Sequence, residues 1–191
     1  LTYDDFETNG LERDVIIPVK FLNVSVSNLK GVNDIRFKIG KNHVMIETEE
    51  SVIYTRIIEE RFPDYESVIP VKNPNKIVAD IDLFLSAIKR IGIFSNKNTH
   101  QIALSFNNNK VVISTEDVET ASTAREEMAL QYEGEPLTIG YNSEYLKEAV
   151  RHVDGEKVCI FLNTPLSAGL LYPETQEEHE HLLILLMPIR L

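Results

Sequence analysis

The chain has 191 residues, of which 43% are hydrophobic and 26% are charged, so it suits one large soluble domain or two small ones with a buried core. It holds 19 basic and 30 acidic residues, and the formal net charge of −11 argues against tight binding of nucleic acid. The longest apolar run, 182–187, has the length of a strand and falls short of the roughly 20 residues that a membrane-spanning helix needs, so we expect no membrane partner.

The first segment of the chain predicts one strand–helix–strands module. Leu1 is not an initiator methionine and 1–9 show no cap or turn, so we expect a truncation within a longer protein. An apolar stretch at 15–18 opens the module, and Pro18 and Gly31 suit the two ends of a helix. Its apolar positions at helical spacing are Val19, Leu22, Val26 and Leu29. Alternating runs that predict strands follow at 35–39, 44–48 and 51–58.

Two further modules repeat this order, with openings at 77–79 and 137–140. Asp80 or Asp82 can cap the second helix, and Asn142 can cap the third. The apolar faces of these helices are Phe84, Ile88 and Ile91 in the second and Leu146, Ala149, Val150 and Val153 in the third. The predicted strands are 101–106 and 111–114 in the second module and 157–162, 166–172 and 182–190 in the third.

Helices that alternate with groups of strands predict an α+β fold with antiparallel sheets on one side and helices on the other. Two modules together would form one complete domain. We therefore expect a complete domain at 69–191 and, at 1–68, half of another domain with a connector. Prolines make an extended connector of 61–70.

The polar faces of all three predicted helices carry basic residues. They are Lys20 on the first helix, Lys89 and Arg90 on the second, and Lys147, Arg151 and His152 on the third. The acidic residues concentrate elsewhere, for example at 116–127 and 174–180. Basic helix faces point to an anionic partner, although ordinary solvated helix faces explain them equally well.

Signals for enzyme chemistry are weak. The single cysteine, Cys159, lies in an alternating apolar run, which favours a small buried side chain on a strand in a cytoplasmic protein. The His179-Glu180-His181 segment could ligate zinc, but an acidic loop without a third ligand favours a solvated segment. There is no phosphate-binding glycine loop or nucleophile elbow. We expect no catalytic residue, no metal and no cofactor.

Five stretches in collinear order resemble the bacterial sliding clamp, the beta subunit of DNA polymerase III. They are 62–65, 93–96, 134–142, 165–168 and 186–191. The resemblance implies a non-catalytic, head-to-tail homodimeric ring of three-domain subunits, with inward helices around duplex DNA. A ring holds DNA topologically, so weak contacts suffice and the acidic net charge is no obstacle. This chain would hold half of the middle domain and all of the third.

The resemblance also implies roles for single residues. Polymerases, the clamp loader and repair proteins would insert short linear motifs into a pocket lined by Leu1, Pro63, Val68, Leu166, Ala168, Leu185, Met187, Pro188, Ile189, Arg190 and Leu191. The residues that would face DNA are Lys20, Lys89, Arg90, Lys97, Lys147 and Arg151. Ile93 and Phe94 would lie in the subunit interface. The alternative is a scaffold of the same fold that binds peptides without encircling DNA.

Overall fold

The computed structural model describes residues 13–191, which divide into two compact units at 13–64 and 65–191. Within these residues, no helix has both the length and the apolar character needed to cross a membrane.

The unit at 13–64 is one helix with a small antiparallel sheet. Its elements are α1 (Val19–Asn28), β1 (Arg36–Ile39), β2 (His43–Glu47) and β3 (Val52–Arg56). The strands lie in the order β1-β2-β3, and a further bridge joins Ile16 to Ile58. Helix α1 begins directly after Pro18, where the fixed φ of proline suits a first turn. The helix and the three strands predicted for this segment are thus confirmed.

The predicted apolar face of α1 is wrong. The helix buries Phe21 and Ser25, whereas Val19 is 69% exposed and Val26 is 67% exposed. Phe21 packs with Val44 and Ile46 of the sheet, and the Ser25 hydroxyl donates to the Phe21 carbonyl over 2.8 Å. That bond removes the cost of burying the hydroxyl. Helical spacing alone could not identify the buried face, because apolar residues occur on more than one side of this helix.

The unit at 65–191 contains two helices and two sheets. A 3-10 turn at Glu66–Val68 interrupts the connector that we expected to be extended. The elements that follow are β4 (Asn75–Asp80), α2 (Ile81–Gly92), β5 (Gln101–Asn107), β6 (Lys110–Asp117), β7 (Ser122–Ala129), β8 (Gln131–Glu133), β9 (Leu137–Asn142), α3 (Ser143–Arg151), β10 (Lys157–Leu162), β11 (Gly169–Pro173) and β12 (Ile184–Leu186). Strands β7 and β8 were not predicted.

The two modules of this unit exchange their first strands. One sheet has the order β12-β11-β10-β4-β8 and the other β7-β6-β5-β9, with antiparallel pairing throughout. Strand β4 of one module thus pairs with β10 of the other, and β9 pairs with β5. Helices α2 and α3 pack against each other. This architecture confirms the α+β prediction.

The core of this unit lies between the helices and the sheets. The predicted apolar faces of α2 and α3 are all buried, as Phe84 and Val150 illustrate. The Asp80 carboxylate caps α2 by accepting from the Leu83 amide over 2.9 Å. The side-chain carbonyl of Asn142 caps α3 by accepting from the amides of residues 144 and 145. Cys159 is buried on β10, as predicted, and burial raises the pKa of its thiol.

Candidate functional site

The C-terminal tail is anchored first to the five-stranded sheet. In the β11–β12 pair, Gly169 lies opposite Leu186 and Leu170 opposite Leu185. The next positions along the two strands are Ala168 and Met187. The Asn73 side-chain amide donates to the Ala168 carbonyl over 3.0 Å, which fixes the start of β11.

The tail then crosses to the four-stranded sheet. The sequence predicted one strand over 182–190, but the regular strand ends at Leu186 and Ile189 pairs with Gly140 of β9. The Ile189 amide donates to the Gly140 carbonyl over 2.9 Å. A methyl group on Gly140 would lie 2.6 Å from the Ile189 oxygen and 2.8 Å from Leu191 Cδ2. A residue without a side chain at position 140 therefore lets the tail lie directly on β9.

Several predicted pocket residues expose apolar side chains. Met187 is 61% exposed, and Leu166, Val68 and Leu191 are exposed to a similar degree. Leu185, Pro188 and Ile189 are half-buried, Arg190 is exposed and Ala168 is buried. The turn before Leu166 is tight, since the Ser167 hydroxyl accepts from the Thr164 amide over 2.9 Å.

Two predicted pocket residues fall outside the described part of the second unit. Leu1 falls outside the described residues. Pro63 is exposed and belongs to the unit at 13–64, whereas the others belong to the unit at 65–191. We use the name apolar ledge for five predicted pocket residues of the second unit, Val68, Leu166, Leu185, Met187 and Leu191.

Half of the predicted DNA-facing residues are engaged in ion pairs. Arg90 on α2 binds Glu126 on β7 through two hydrogen bonds, one of them 3.0 Å from Nε to Oε2. The Arg90 guanidinium holds the pKa of Glu126 below its usual range. On α3, Lys147 pairs with Glu144 over 2.5 Å and Arg151 with Glu148 over 2.7 Å.

The other three cations are exposed. Lys20 lies on α1, Lys89 on α2 and Lys97 in the loop after α2. None of the three has an ion-pair partner within residues 13–191. His152 is also exposed, whereas Ser143 at the start of α3 is 2% exposed. Lys20, Lys89 and Lys97 are therefore the predicted DNA-facing cations with the fewest competing interactions.

Ile93 and Phe94 form an exposed apolar pair at the end of α2, where Ile93 is 78% exposed. The loop that carries them is held by Asn96, whose amide nitrogen donates to the Asp117 carboxylate over 3.2 Å. Hydrogen bonds from Thr120 and from Asn96 lower the pKa of Asp117, which is 5% exposed. The predicted interface pair thus lies next to a hydrogen-bonded loop.

Strand β7 lies at the edge of its sheet beside this loop, and sequence reasoning missed it. Its exposure alternates along Ser122–Ala129. From the sequence we noted only the concentration of acidic residues at 116–127 and predicted no strand there. The Arg90–Glu126 pair links the strand to α2. Among residues 13–191, no group of three or more His, Cys, Asp or Glu side chains is arranged to hold a metal ion.

Comparison with known proteins identifies the family. Residues 66–190 match the family model of the DNA polymerase III beta subunit, C-terminal domain. The chain belongs to this family. The beta sliding clamp of Proteus mirabilis is 29% identical over 157 residues, which cover 81% of this chain and 42% of that protein. The beta sliding clamp of Pseudomonas aeruginosa is 27% identical over 178 residues, covering 93% of this chain and 47% of that protein.

Solved structures agree with this membership. A DnaN sliding clamp from Pseudomonas aeruginosa bound to griselimycin superposes with a TM-score of 0.83 at 27% identity, covering 93% of this chain and 47% of that one. A griselimycin-bound clamp from Bartonella birtlesii gives a TM-score of 0.85 at 24% identity, covering 93% of this chain and 47% of that one, and it supports the fold alone. The chain spans about half the length of the curated relatives it matches.

Proposed function

We propose that this chain is the C-terminal part of a bacterial sliding clamp, a processivity factor that surrounds duplex DNA and tethers its partners. The partners are the replicative polymerase, the clamp loader and repair proteins, which dock short linear motifs on the apolar ledge. The observation that carries the proposal is the tail: Met187 is exposed at a position fixed by β11 on one side and by Gly140 on the other. Exposed apolar groups on a rigid frame suit a small peptide site, and methionine adapts to different partners.

Contacts with DNA are proposed to be few and weak. Lys20, Lys89 and Lys97 supply exposed positive charge, whereas the acids of α3 neutralise Lys147 and Arg151. Each lysine that neutralises a phosphate adds affinity and salt dependence, so a small number permits sliding. Repulsion from acids farther away is screened beyond a Debye length of about 8 Å.

The ring is proposed to be a homodimer of a longer protein that carries this chain. Ile93 and Phe94 provide an apolar patch, and the neighbouring edge strand β7 has backbone groups available for pairing. Long exposed edge strands pair readily with other strands. In that protein, 1–68 is proposed to complete a middle domain and 69–191 to form the last domain. We propose that its role is mechanical, without catalysis or cofactor, in the cytoplasm.

Peptide titration tests the docking site. A labelled peptide with a Gln-Leu-x-Leu-Phe-type motif should bind this chain, and Met187→Ala should weaken binding by about tenfold, because burying the methionine contributes about 1.5–3 kcal/mol before the entropy cost. Leu83→Ala is the matched control, since Leu83 is an equally exposed apolar residue on α2. Equal affinity of wild type and Met187→Ala would remove the pocket assignment.

Topological loading distinguishes the clamp from a same-fold scaffold that does not encircle DNA. The longer protein, loaded onto closed circular DNA by a clamp loader, should remain bound until the DNA is linearised. Equal retention on circles and on linear molecules would favour the scaffold.

A further inference from the structure

A second concave surface lies next to the ledge on the same sheet. This open groove, which we name the β10–β11 groove, has a volume of about 540 Å³. The lining residues used below are Val71, Lys76, Cys159, Phe161, Leu170 and Tyr172. Val71 stands at the rim and is 96% exposed, and Leu170 forms a buried floor.

Strand register places the groove and the ledge on one face of the sheet. Directly paired residues of antiparallel strands project to the same side, as do residues two apart on one strand. Leu170 pairs with Leu185 of the ledge and also with Phe161 of the groove. Met187, two residues beyond Leu185, therefore lies on the face that carries Phe161. Leu185 and Met187 of the ledge and Phe161 of the groove thus lie on one face of the sheet.

Asn73 connects the backbone beneath both sites. Its side-chain amide donates to the Phe161 carbonyl over 2.9 Å and to the Ala168 carbonyl over 3.0 Å. Phe161 belongs to the groove, and Ala168 begins the strand that supports the ledge. The distance along β11 from Ala168 to Tyr172 is about 13 Å, a span that four extended residues of a bound peptide would cover.

The groove combines an aromatic wall with a lysine that forms no ion pair within residues 13–191. Phe161 and Tyr172 meet edge to face, with ring centroids 5.7 Å apart. Glu174 also lines the groove and pairs with Lys157 over 3.2 Å. Lys76 lies opposite Glu133 in the β4–β8 pair but forms no ion pair within residues 13–191. An aromatic ring can pack against such a wall, and a carboxylate can pair with Lys76.

We propose that the β10–β11 groove is a second subsite for docked partners, which receives the residues flanking the motif on the ledge. The preferred flank is an extended segment with one aromatic and one or two acidic side chains. This inference rests on the proposed function, since the motif itself must dock on the ledge. Differences in affinity between partners would then depend on groove residues outside the ledge.

Extended peptides test the subsite in titrations against this chain. The peptides are the motif alone, the motif with a five-residue Trp- and Glu-containing extension at either end, and the same extensions with Lys in place of Glu. One acidic extension should raise affinity by about tenfold. Lys76→Glu and Phe161→Ala should abolish that gain while leaving the affinity for the motif alone unchanged. Lys89→Glu is the matched control, because it changes an exposed, unpaired lysine on α2.

The outcomes separate the two proposals. If the motif binds but neither acidic extension adds affinity, the subsite is refuted and the ledge stands. If the motif does not bind, the ledge fails. In that case the extension alone is titrated, and the backbone amide shifts of Lys76, Phe161 and Tyr172 show whether it binds in the groove. Unshifted amides at these three residues would overturn the subsite.

Discussion

Replacing Gly140 with alanine should disconnect the C-terminal tail from β9. The added methyl would lie 2.6 Å from the Ile189 carbonyl oxygen and 2.9 Å from Leu191 Cγ. Because the nearest atom is backbone, the tail must move by several tenths of an ångström. The hydrogen bond from the Ile189 amide to the Gly140 carbonyl would then be stretched or lost.

The size of the effect follows from what the shift removes. One backbone hydrogen bond contributes about 1 kcal/mol, and Leu191 adds little packing because it is 61% exposed. We expect a loss of about 1–2 kcal/mol confined to the tail, with global stability nearly unchanged, since the neighbouring core residue Ile139 faces the other side. If the motif docks on the ordered tail, its affinity should fall by about tenfold.

Two measurements check this prediction. Peptide titration gives the affinity, and hydrogen exchange gives the protection of the Ile189 amide, which should fall in Gly140→Ala. Gly40→Ala is the control, because a methyl there would make only an ordinary 3.4 Å contact with the His43 carbonyl. Unchanged affinity together with unchanged protection of Ile189 would refute the proposed role of Gly140.

Three further predictions concern the helices and the interface loop. Asn142→Ala should lower the free energy of unfolding in urea by about 1–2 kcal/mol, and by more than Asp80→Ala does. Asn142 accepts hydrogen bonds from two amides of α3 and also donates to the Thr99 carbonyl, whereas Asp80 accepts from one amide of α2. A smaller effect than that of Asp80→Ala would contradict this. Asp117→Asn should lower the free energy of unfolding at neutral pH, and the difference from wild type should shrink as pH falls below about 4. Folding lowers the pKa of the Asp117 carboxyl, so the ionised carboxylate stabilises the folded state above its ordinary pKa. Protonation at lower pH removes that stabilisation. Urea unfolding at neutral pH and at about pH 3 measures this, and a pH-independent difference would argue against it. Lys89→Ala should reduce the affinity for a short DNA duplex at low salt, and the salt dependence of that affinity, more than Arg90→Ala does. Arg90 is already paired with Glu126, so it has less charge available for a phosphate. Equal effects of the two variants in a fluorescence titration would contradict this.

Local signals in the sequence were sufficient for much of the fold. The helices α2 and α3 were predicted with their buried faces, because each has one apolar stripe and a capping side chain, at Asp80 and Asn142, next to its first turn. Alternating runs predicted most strands near their observed bounds. These features depend on residues within a few positions of one another.

The elements that were wrong or missed depend on distant contacts. Strand β7 is stabilised by its register with β6, which the acidic composition of 122–129 conceals. The ion pair of Arg90 with Glu126 joins residues 36 positions apart. The apolar face of α1 was misassigned because α1 has apolar residues on several sides. Packing against the sheet determines that Phe21 is the buried one.

The C-terminal tail shows both contributions. Its sequence, together with four other stretches in collinear order, indicated the family, and that resemblance predicted an apolar site at Met187. Only the tertiary structure revealed that the regular strand ends at Leu186 and that Ile189 pairs with Gly140, almost 50 positions earlier in the chain. A hydrogen bond between two sheets forms only when the fold brings both strands together. The pattern of residues along the chain does not indicate which distant strand will lie beside the tail.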